Sequence, residues 1–392
     1  MTHDLIPPDL ARQIEDFIHS RQADIEGFVR ALVETESPSG DEPGSRAVVG
    51  LLAAAANELQ CVGKVERVDV AGIGQHLVVH AFHSQRQNGN ILLVGHTDTV
   101  HSRGSVGERP WRKENNRIYG PGIFDMKANC ALAVEVLRAC DELKVVPRYG
   151  ITLALTCDEE VGSLSGWPVL ERIAQSESTR CAFVLEPPAA GGRVKTGRKG
   201  TGIFAIKCEG KAAHAGLDPE KGASAILELA RQTERLHALN QSGSGITVNV
   251  GVVHGGTRSN VVAAEAEGEI DVRFRTEAEA KEIEKILSRL EPIDERVKVY
   301  VSGGINRPPL ERNAAVIELF ERARGVASLL GFELGEAQVG GASDGNFLAA
   351  MGIPVLDGLG ISGDGAHAVH EHILADDIPR RGALLAGLLA SM

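Results

Sequence analysis

Ile91-Leu92-Leu93-Val94-Gly95-His96-Thr97-Asp98-Thr99-Val100 is the stretch whose reading decides the fold of this chain. Four apolar residues that stop at a glycine are too few for a buried helix and read as a buried strand. The strand delivers His96, with Asp98 two residues on. Downstream, Tyr119-Gly120-Pro121-Gly122-Ile123-Phe124-Asp125-Met126-Lys127 is a turn-rich segment that leads into a helix. A histidine at a strand end and an aspartate at a helix entrance predict half of a metal site.

Working outward, short apolar segments alternate with helical ones. Val65 to Val70, His76 to Phe82, Gly150 to Thr156 and Cys181 to Leu185 read as strands. Ser45 to Leu59, Lys127 to Leu143 and Gly166 to Ala174 read as helices, and residues 9 to 34 as an amphipathic helix or helix pair ended by Ser37 to Pro43. That alternation predicts an α/β layer with a largely parallel sheet.

The pattern changes near Gly200. Strand Thr201 to Cys208, helix Gly222 to Leu239, strands Ile246 to Val253 and Val261 to Phe274, helix Glu277 to Leu290 and strand Val297 to Val301 follow in turn. This β-α-β-β-α-β order is that of a ferredoxin-like unit. Thr276 and Glu279 make a capping box ahead of an apolar stripe, Ala278, Ile283, Ile286, Leu287 and Leu290. Val248, Val250 and Val252 alternate along one strand. After Arg307-Pro308-Pro309 the α/β pattern resumes with helix Ala314 to Leu330, the turn Gly340 to Gly345, strand Ile353 to Leu356 and helix Pro379 to Leu389. The expected organisation is a discontinuous catalytic domain, 1–199 and 307–392, with a lid inserted at 200–306.

Composition narrows the function. The 392 residues are 43% hydrophobic and carry 41 basic against 53 acidic side chains, a formal charge of -12. A sizeable core is available, and the acidic balance argues against nucleic acid as the main partner. Met1-Thr2-His3-Asp4-Leu5-Ile6-Pro7-Pro8 lacks the basic and apolar regions of a signal peptide. No apolar run approaches the roughly 20 residues that span a bilayer. A cytoplasmic protein without a membrane partner is expected, its six scattered cysteines reduced.

Three apolar strands end in groups able to bind a metal. Ile91 to Val94 delivers His96, Gly150 to Thr156 delivers Asp158-Glu159-Glu160, and Cys181 to Leu185 delivers Glu186. The carboxyl ends of strands in open α/β sheets border the ligand crevice, so these groups can converge. Histidine with carboxylate suits zinc, and Asp125 could bridge two ions about 3.5 to 4 Å apart. By spacing alone His367, His370 and His372 are all candidate ligands. Arg193, Lys195, Arg198 and Lys199 read as an inter-domain hinge surface.

His96-Thr97-Asp98-Thr99-Val100, Gly120 to Lys127, Asp158-Glu159-Glu160-Val161-Gly162, Glu186-Pro187 and Gly365-Ala366-His367-Ala368-Val369-His370-Glu371 together resemble the M20 metallopeptidase family, in its carboxypeptidase G2-like form. The resemblance covers nearly the whole chain in order. It implies a zinc-exopeptidase-like catalytic domain with two Zn2+ per subunit, Co2+ or Mn2+ being alternatives. His96 and Glu186 would bind one ion, Glu160 and His367 the other, and Asp125 would bridge them. The family pattern, histidine then acid four residues on, selects His367 with Glu371 and leaves His370 to line the pocket or the surface. Asp98 would fix the tautomer of His96, and Glu159 would be the general base toward a metal-bridging water. His214 would reach the other subunit of a lid-mediated homodimer and steady the oxyanion, while Asn260 and Arg273 would hold the substrate carboxylate. Gly340 to Asp344 resembles the family's turn beside the substrate pocket. The activity implied is release of a C-terminal amino acid, glutamate first, from a peptide or amide. An N-acyl-amino-acid deacylase of the acetylornithine deacetylase kind is the alternative, and a silent binding relative is the alternative from another class.

Overall fold

The computed structural model describes residues 5–240 and 245–392, so part of the N-terminal segment read above, Met1 to Asp4, lies outside the described residues. The chain divides into two compact units. The first comprises the chain up to Thr196, Arg312–Gln338 and Ser343–Met392, and the second Gly197–Glu311 with Val339–Ala342. The glycine turn is therefore split: Val339–Ala342 belongs with the second unit, and only from Ser343 does the chain rejoin the first.

The first unit is built on a six-stranded sheet in the order Val62–Val70, Gly74–Ala81, Gly150–Thr156, Asn90–His96, Thr179–Val184, Val355–Leu356. Its last three junctions are parallel and its first two antiparallel, so the sheet is mixed rather than largely parallel. The reason is local. Val62–Val70 and Gly74–Ala81 are joined by a three-residue turn with Gly72 at φ +73°, and so short a link permits only a hairpin.

The parallel strands set the site. Asn90–His96 lies between the other two, with His96 opposite Thr156 and Val94 opposite Val184. All three chains leave the sheet at the same edge, which gathers His96, Glu160 and Glu186. Gly95 breaks the apolar run because a Cβ there would lie 2.6 Å from Met126 Cε. Helix Ala128–Glu142 is buried on nearly every side because it touches the central strand, Gln22–Glu34 and Asp377–Ser391. The segment at 9–34 is a helix pair, Pro8–Ser20 and Gln22–Glu34. The next helix starts earlier than expected, at Glu42, because the Asp41 side chain caps Gly44 N and Pro43 is tolerated in a first turn.

The second unit is a four-stranded antiparallel sheet in the order Thr247–Gly255, Glu265–Phe274, Gly200–Glu209, Lys298–Arg307, with helices Ala225–His237 and Glu277–Leu287. Numbered within the unit, this is the 2-3-1-4 order of a ferredoxin-like fold. Both halves of the Thr276–Glu279 capping box are present. The stripe behind it is Ala280, Ile283 and Leu287, with Ile286 and Leu290 half-buried against the same core; Ala278 is exposed, and the helix stops three residues short of Leu290. The valine alternation also fails. Val248 is buried, but a bulge between Val250 and Val252 leaves both Val252 and Val253 exposed on this edge strand. Lys195 and Arg198 are buried on strand Val194–Arg198 and Lys199 is half-buried, so of the basic cluster only Arg193 is an exposed surface residue. Among the described residues no helix is long and apolar enough to cross a membrane.

Candidate active site

Five side chains of the first unit meet at the sheet edge. His96 Nε2 lies 3.1 Å from Asp125 Oδ1 and 3.5 Å from Glu186 Oε1. His367 Nε2 lies 3.4 Å from Asp125 Oδ2 and 3.1 Å from Glu160 Oε2. These form two groups able to hold an ion each, His96 with Asp125 and Glu186, and Asp125 with Glu160 and His367. Asp125 is common to both and turns one oxygen to each, which is what a bridging carboxylate must do. His370 is exposed and absent from both groups, while His372 is buried against Tyr119.

The surroundings orient these ligands. His96 Nδ1 donates to the backbone oxygen of Asp98 at 3.0 Å with Asp98 Oδ1 at 3.4 Å, which turns Nε2 toward Asp125 and Glu186. The buried Asp98 carboxylate also accepts from Ser39 Oγ at 2.7 Å and from the backbone N–H groups of Glu159 and Glu160, each at 3.2 Å. It thereby aligns His96 and the glutamate turn together. Glu159 lies in a short 3-10 turn, Glu159–Val161, directly before the ligand candidate Glu160. His367 has φ +64°, a left-handed backbone unusual outside glycine.

Protonation shows a site with excess negative charge. Burial foremost, with Asp125 beside it, pushes the Glu160 carboxyl up to about 7. The Asp125 bond, helped by Glu160, pushes His367 up to about 9. Burial opposes a charge on His96, yet Asp125, Asp98 and Glu186 raise it well above the ordinary histidine range. Burial would raise Asp125, but His367 and His96 hold it below the usual carboxylate range. Glu160 Oε1 is buried with no hydrogen-bond partner. An orphaned carboxylate oxygen among two imidazoles and three acids fits a bound dication.

A family model described as peptidase family M20/M25/M40 matches residues 92–391. The chain belongs to this family. Carboxypeptidase G2 of Pseudomonas sp. (strain RS-16) is 31% identical over 373 residues, 92% of this chain and 87% of that protein. A succinyl-diaminopimelate desuccinylase of Thioalkalivibrio sulfidiphilus is 27% identical over 76% of this chain and 82% of its own length. An aminopeptidase from Bacillus cereus shares the fold at a TM-score of 0.81 and 23% identity, covering 94% of this chain and 98% of its own. A metallo-carboxypeptidase of the M20 family from Sulfolobus solfataricus does so at 0.67 and 15%, covering 93% and 98%. The protein is an M20 metallopeptidase-type hydrolase.

In this M20 chain the remaining site candidates lie in the second unit. His214 and Asn260 stand on facing exposed segments, where His214 pairs with Val261 and Ala215 N donates to Asn260 O at 3.0 Å. His214 Nδ1 accepts from Gly216 N and Leu217 N, each at 3.2 Å, which places the imidazole proton on Nε2. Arg273 is held bidentately by Asp271, two residues before it on the same strand face, at 2.8 and 2.9 Å.

One residue acquires a role that its motif did not convey. The buried Glu371 carboxylate accepts from Gly122 N at 2.8 Å, Phe124 N at 2.9 Å, Asp125 N at 3.0 Å and His101 Nε2 at 2.6 Å. It is the anchor of the turn that presents Asp125. The signal in the sequence is the run Gly120 to Phe124, whose turn leaves the N–H groups of Gly122 and Phe124 without an acceptor in the segment and needing one from elsewhere.

Proposed function

We propose that this M20 protein is a two-zinc hydrolase that cleaves an amide bond beside a free carboxylate, releasing a C-terminal amino acid with glutamate the first expectation. The observation that carries the reading is Asp125, whose two oxygens are shared between two histidine–carboxylate groups. His96, Glu186 and Asp125 would hold one ion, and Asp125, Glu160 and His367 the other, with zinc favoured by the nitrogen and oxygen donors and cobalt or manganese possible. When bound, the pair supplies a water of lowered pKa and a Lewis acid for the scissile carbonyl.

The chain does the rest. The Glu159 carboxylate takes a proton from the attacking water and delivers it to the departing amide nitrogen. Arg273 and Asn260 receive the substrate carboxylate, which competes with Asp271 for the guanidinium fork. His214, with its proton on Nε2, donates to the developing oxyanion of the other subunit. That exchange requires a homodimer joined through the second unit, whose edge strand Thr247–Gly255 exposes Val252 and Val253. We place this activity in the cytoplasm.

The test is a mass-spectrometric screen of the zinc-loaded protein against N-acyl amino acids, dipeptides and glutamyl amides, with a chelated control. Chelator-sensitive release of glutamate is the expected result. Preferential release of acetate or succinate from N-acyl amino acids would transfer the protein to the deacylases, consistent with its desuccinylase relative. Silence across the panel from a zinc-loaded protein would sink the hydrolase reading in favour of a binding role.

A further inference from the structure

Asp344 stands at the N-cap of the short helix Gly345–Ala350 but makes no capping bond with its side chain. Ser343 Oγ accepts from Gly345 N at 3.2 Å instead. The Asp344 carboxylate, 2% exposed as a residue, is directed elsewhere: Oδ2 accepts from Thr156 Oγ1 at 3.1 Å, and Oδ1 is hydrogen-bonded by Ser163 Oγ. Thr156 ends the strand before the glutamate turn, and Ser163 closes that turn. The two hydroxyls thus bracket Cys157–Gly162, the segment that bears Glu159 and Glu160.

Ser163 is itself conspicuous. It has φ +57° and is buried, directly after Gly162 at φ +103°. A non-glycine residue in the left-handed region persists where its surroundings hold it there. Its N–H donates to Asp158 O at 2.8 Å and its hydroxyl to Asp344. The Asp98 carboxylate already fixes the start of the turn through the N–H groups of Glu159 and Glu160.

We infer that Asp344 is a positioning residue that clamps the far end of the glutamate turn, so that the carboxylates of Glu159 and Glu160 are set by Asp98 on one side and Asp344 on the other. This rests on the two-metal reading above. It has a selective consequence, because Glu160 belongs to only one of the two ion-binding groups. His96 and Glu186 follow other strands, and the turn meets their group through Asp98 at its start rather than through Asp344 at its far end.

The experiment compares wild type with Asp344→Ala, Asp344→Asn and Ser163→Ala in the full-length protein. Metal-stripped samples are titrated calorimetrically with zinc, and loaded samples are assayed for kcat and KM on the best amide from the screen. Asp344→Ala should weaken one zinc-binding step by about tenfold or more and leave the other within about twofold. Its kcat should fall by about 30-fold or more while KM stays within about threefold. Asp344→Asn keeps an acceptor for Ser163 and should return most of the lost kcat. Should Asp344→Ala fail to fold, Ser163→Ala, which removes only the hydroxyl, must still show the selective weakening. Equal weakening of both zinc steps, or zinc binding and kcat like those of wild type in both Asp344→Ala and Ser163→Ala, overturns the inference. If wild type takes up two zinc ions and the variants match it, the positioning role alone fails. If wild type takes up no zinc, the two-metal reading fails first.

Discussion

Glu371→Gln is the substitution whose effect the structure defines best. Oε1 of Glu371 accepts from Phe124 N and Asp125 N, and Oε2 from Gly122 N and His101 Nε2, all between 2.6 and 3.0 Å. Glutamine keeps the shape and one acceptor oxygen but sets an NH2 group against two donors. Two hydrogen bonds to a buried charge are lost, each worth about 1.5 to 3 kcal/mol. The total, about 3 to 6 kcal/mol, is smaller than most of the roughly 5 to 15 kcal/mol range that holds a domain together, so the variant should fold. Its melting temperature should drop by on the order of 10 °C. Because Glu371 holds the backbone of Asp125, which serves both ion-binding groups, both zinc-binding steps should weaken by about 10- to 100-fold. Differential scanning calorimetry and zinc titration of the stripped protein read the two effects. A variant with wild-type melting and wild-type zinc affinities would refute the assignment of Glu371 as the anchor of the Asp125 turn.

Further outcomes follow from single observations. If Arg273 receives the substrate carboxylate, Arg273→Ala should raise KM by about 10- to 100-fold with little change in kcat, whereas Asp271→Asn, which removes a competing carboxylate, should lower KM; steady-state kinetics decides, and an unchanged KM in both excludes the role. His80 is buried with its Nε2 at 2.9 Å from Glu66 and its Nδ1 at 2.8 Å from Arg86 Nη2, and burial lowers its pKa. The unfolded chain therefore binds the extra proton: the stabilisation is complete above the unfolded value of about 6.5 and is lost as pH falls. Urea midpoints between pH 7.5 and 5.5 should fall less steeply in His80→Gln than in wild type, and parallel slopes would exclude this contribution. Burial pushes the thiols of Cys61, Cys130, Cys140, Cys157 and Cys181 up to about 12 and that of Cys208 up to about 11. Ellman's reagent at pH 8 should thus find no rapidly reacting thiol in the native protein and six in urea, and one fast native thiol would contradict the packing.

Much of this was legible in one dimension because it depends on neighbours in the chain. The strand at Ile91 to Val94 announces itself by a short apolar run before Gly95, the capping box by Thr276 and Glu279, and the ferredoxin-like order by the period of each segment. Misreadings came where a local signal had two meanings. Asp41 and Pro43, in a stretch that reads as the end of one helix, also begin the next, and the valine pattern of Thr247–Gly255 gives no warning of a bulge.

The amino-acid sequence by itself determined which chemistry is available: histidines and carboxylates at strand ends, in the order of an M20 hydrolase. Only the tertiary structure decided how they act together. Asp125 finds a histidine on each side because parallel neighbours, with His96 opposite Thr156 and Val94 opposite Val184, release the segments bearing His96, Glu160 and Glu186 at one sheet edge. Glu371 and Asp344 reach their partners across 246 and 188 residues of chain, on Asp125 and Thr156 respectively. Periodicity and capping are written within a few residues, whereas the partner of a buried carboxylate is chosen by which surfaces the packed core brings together, and that is known only once the chain has closed on itself.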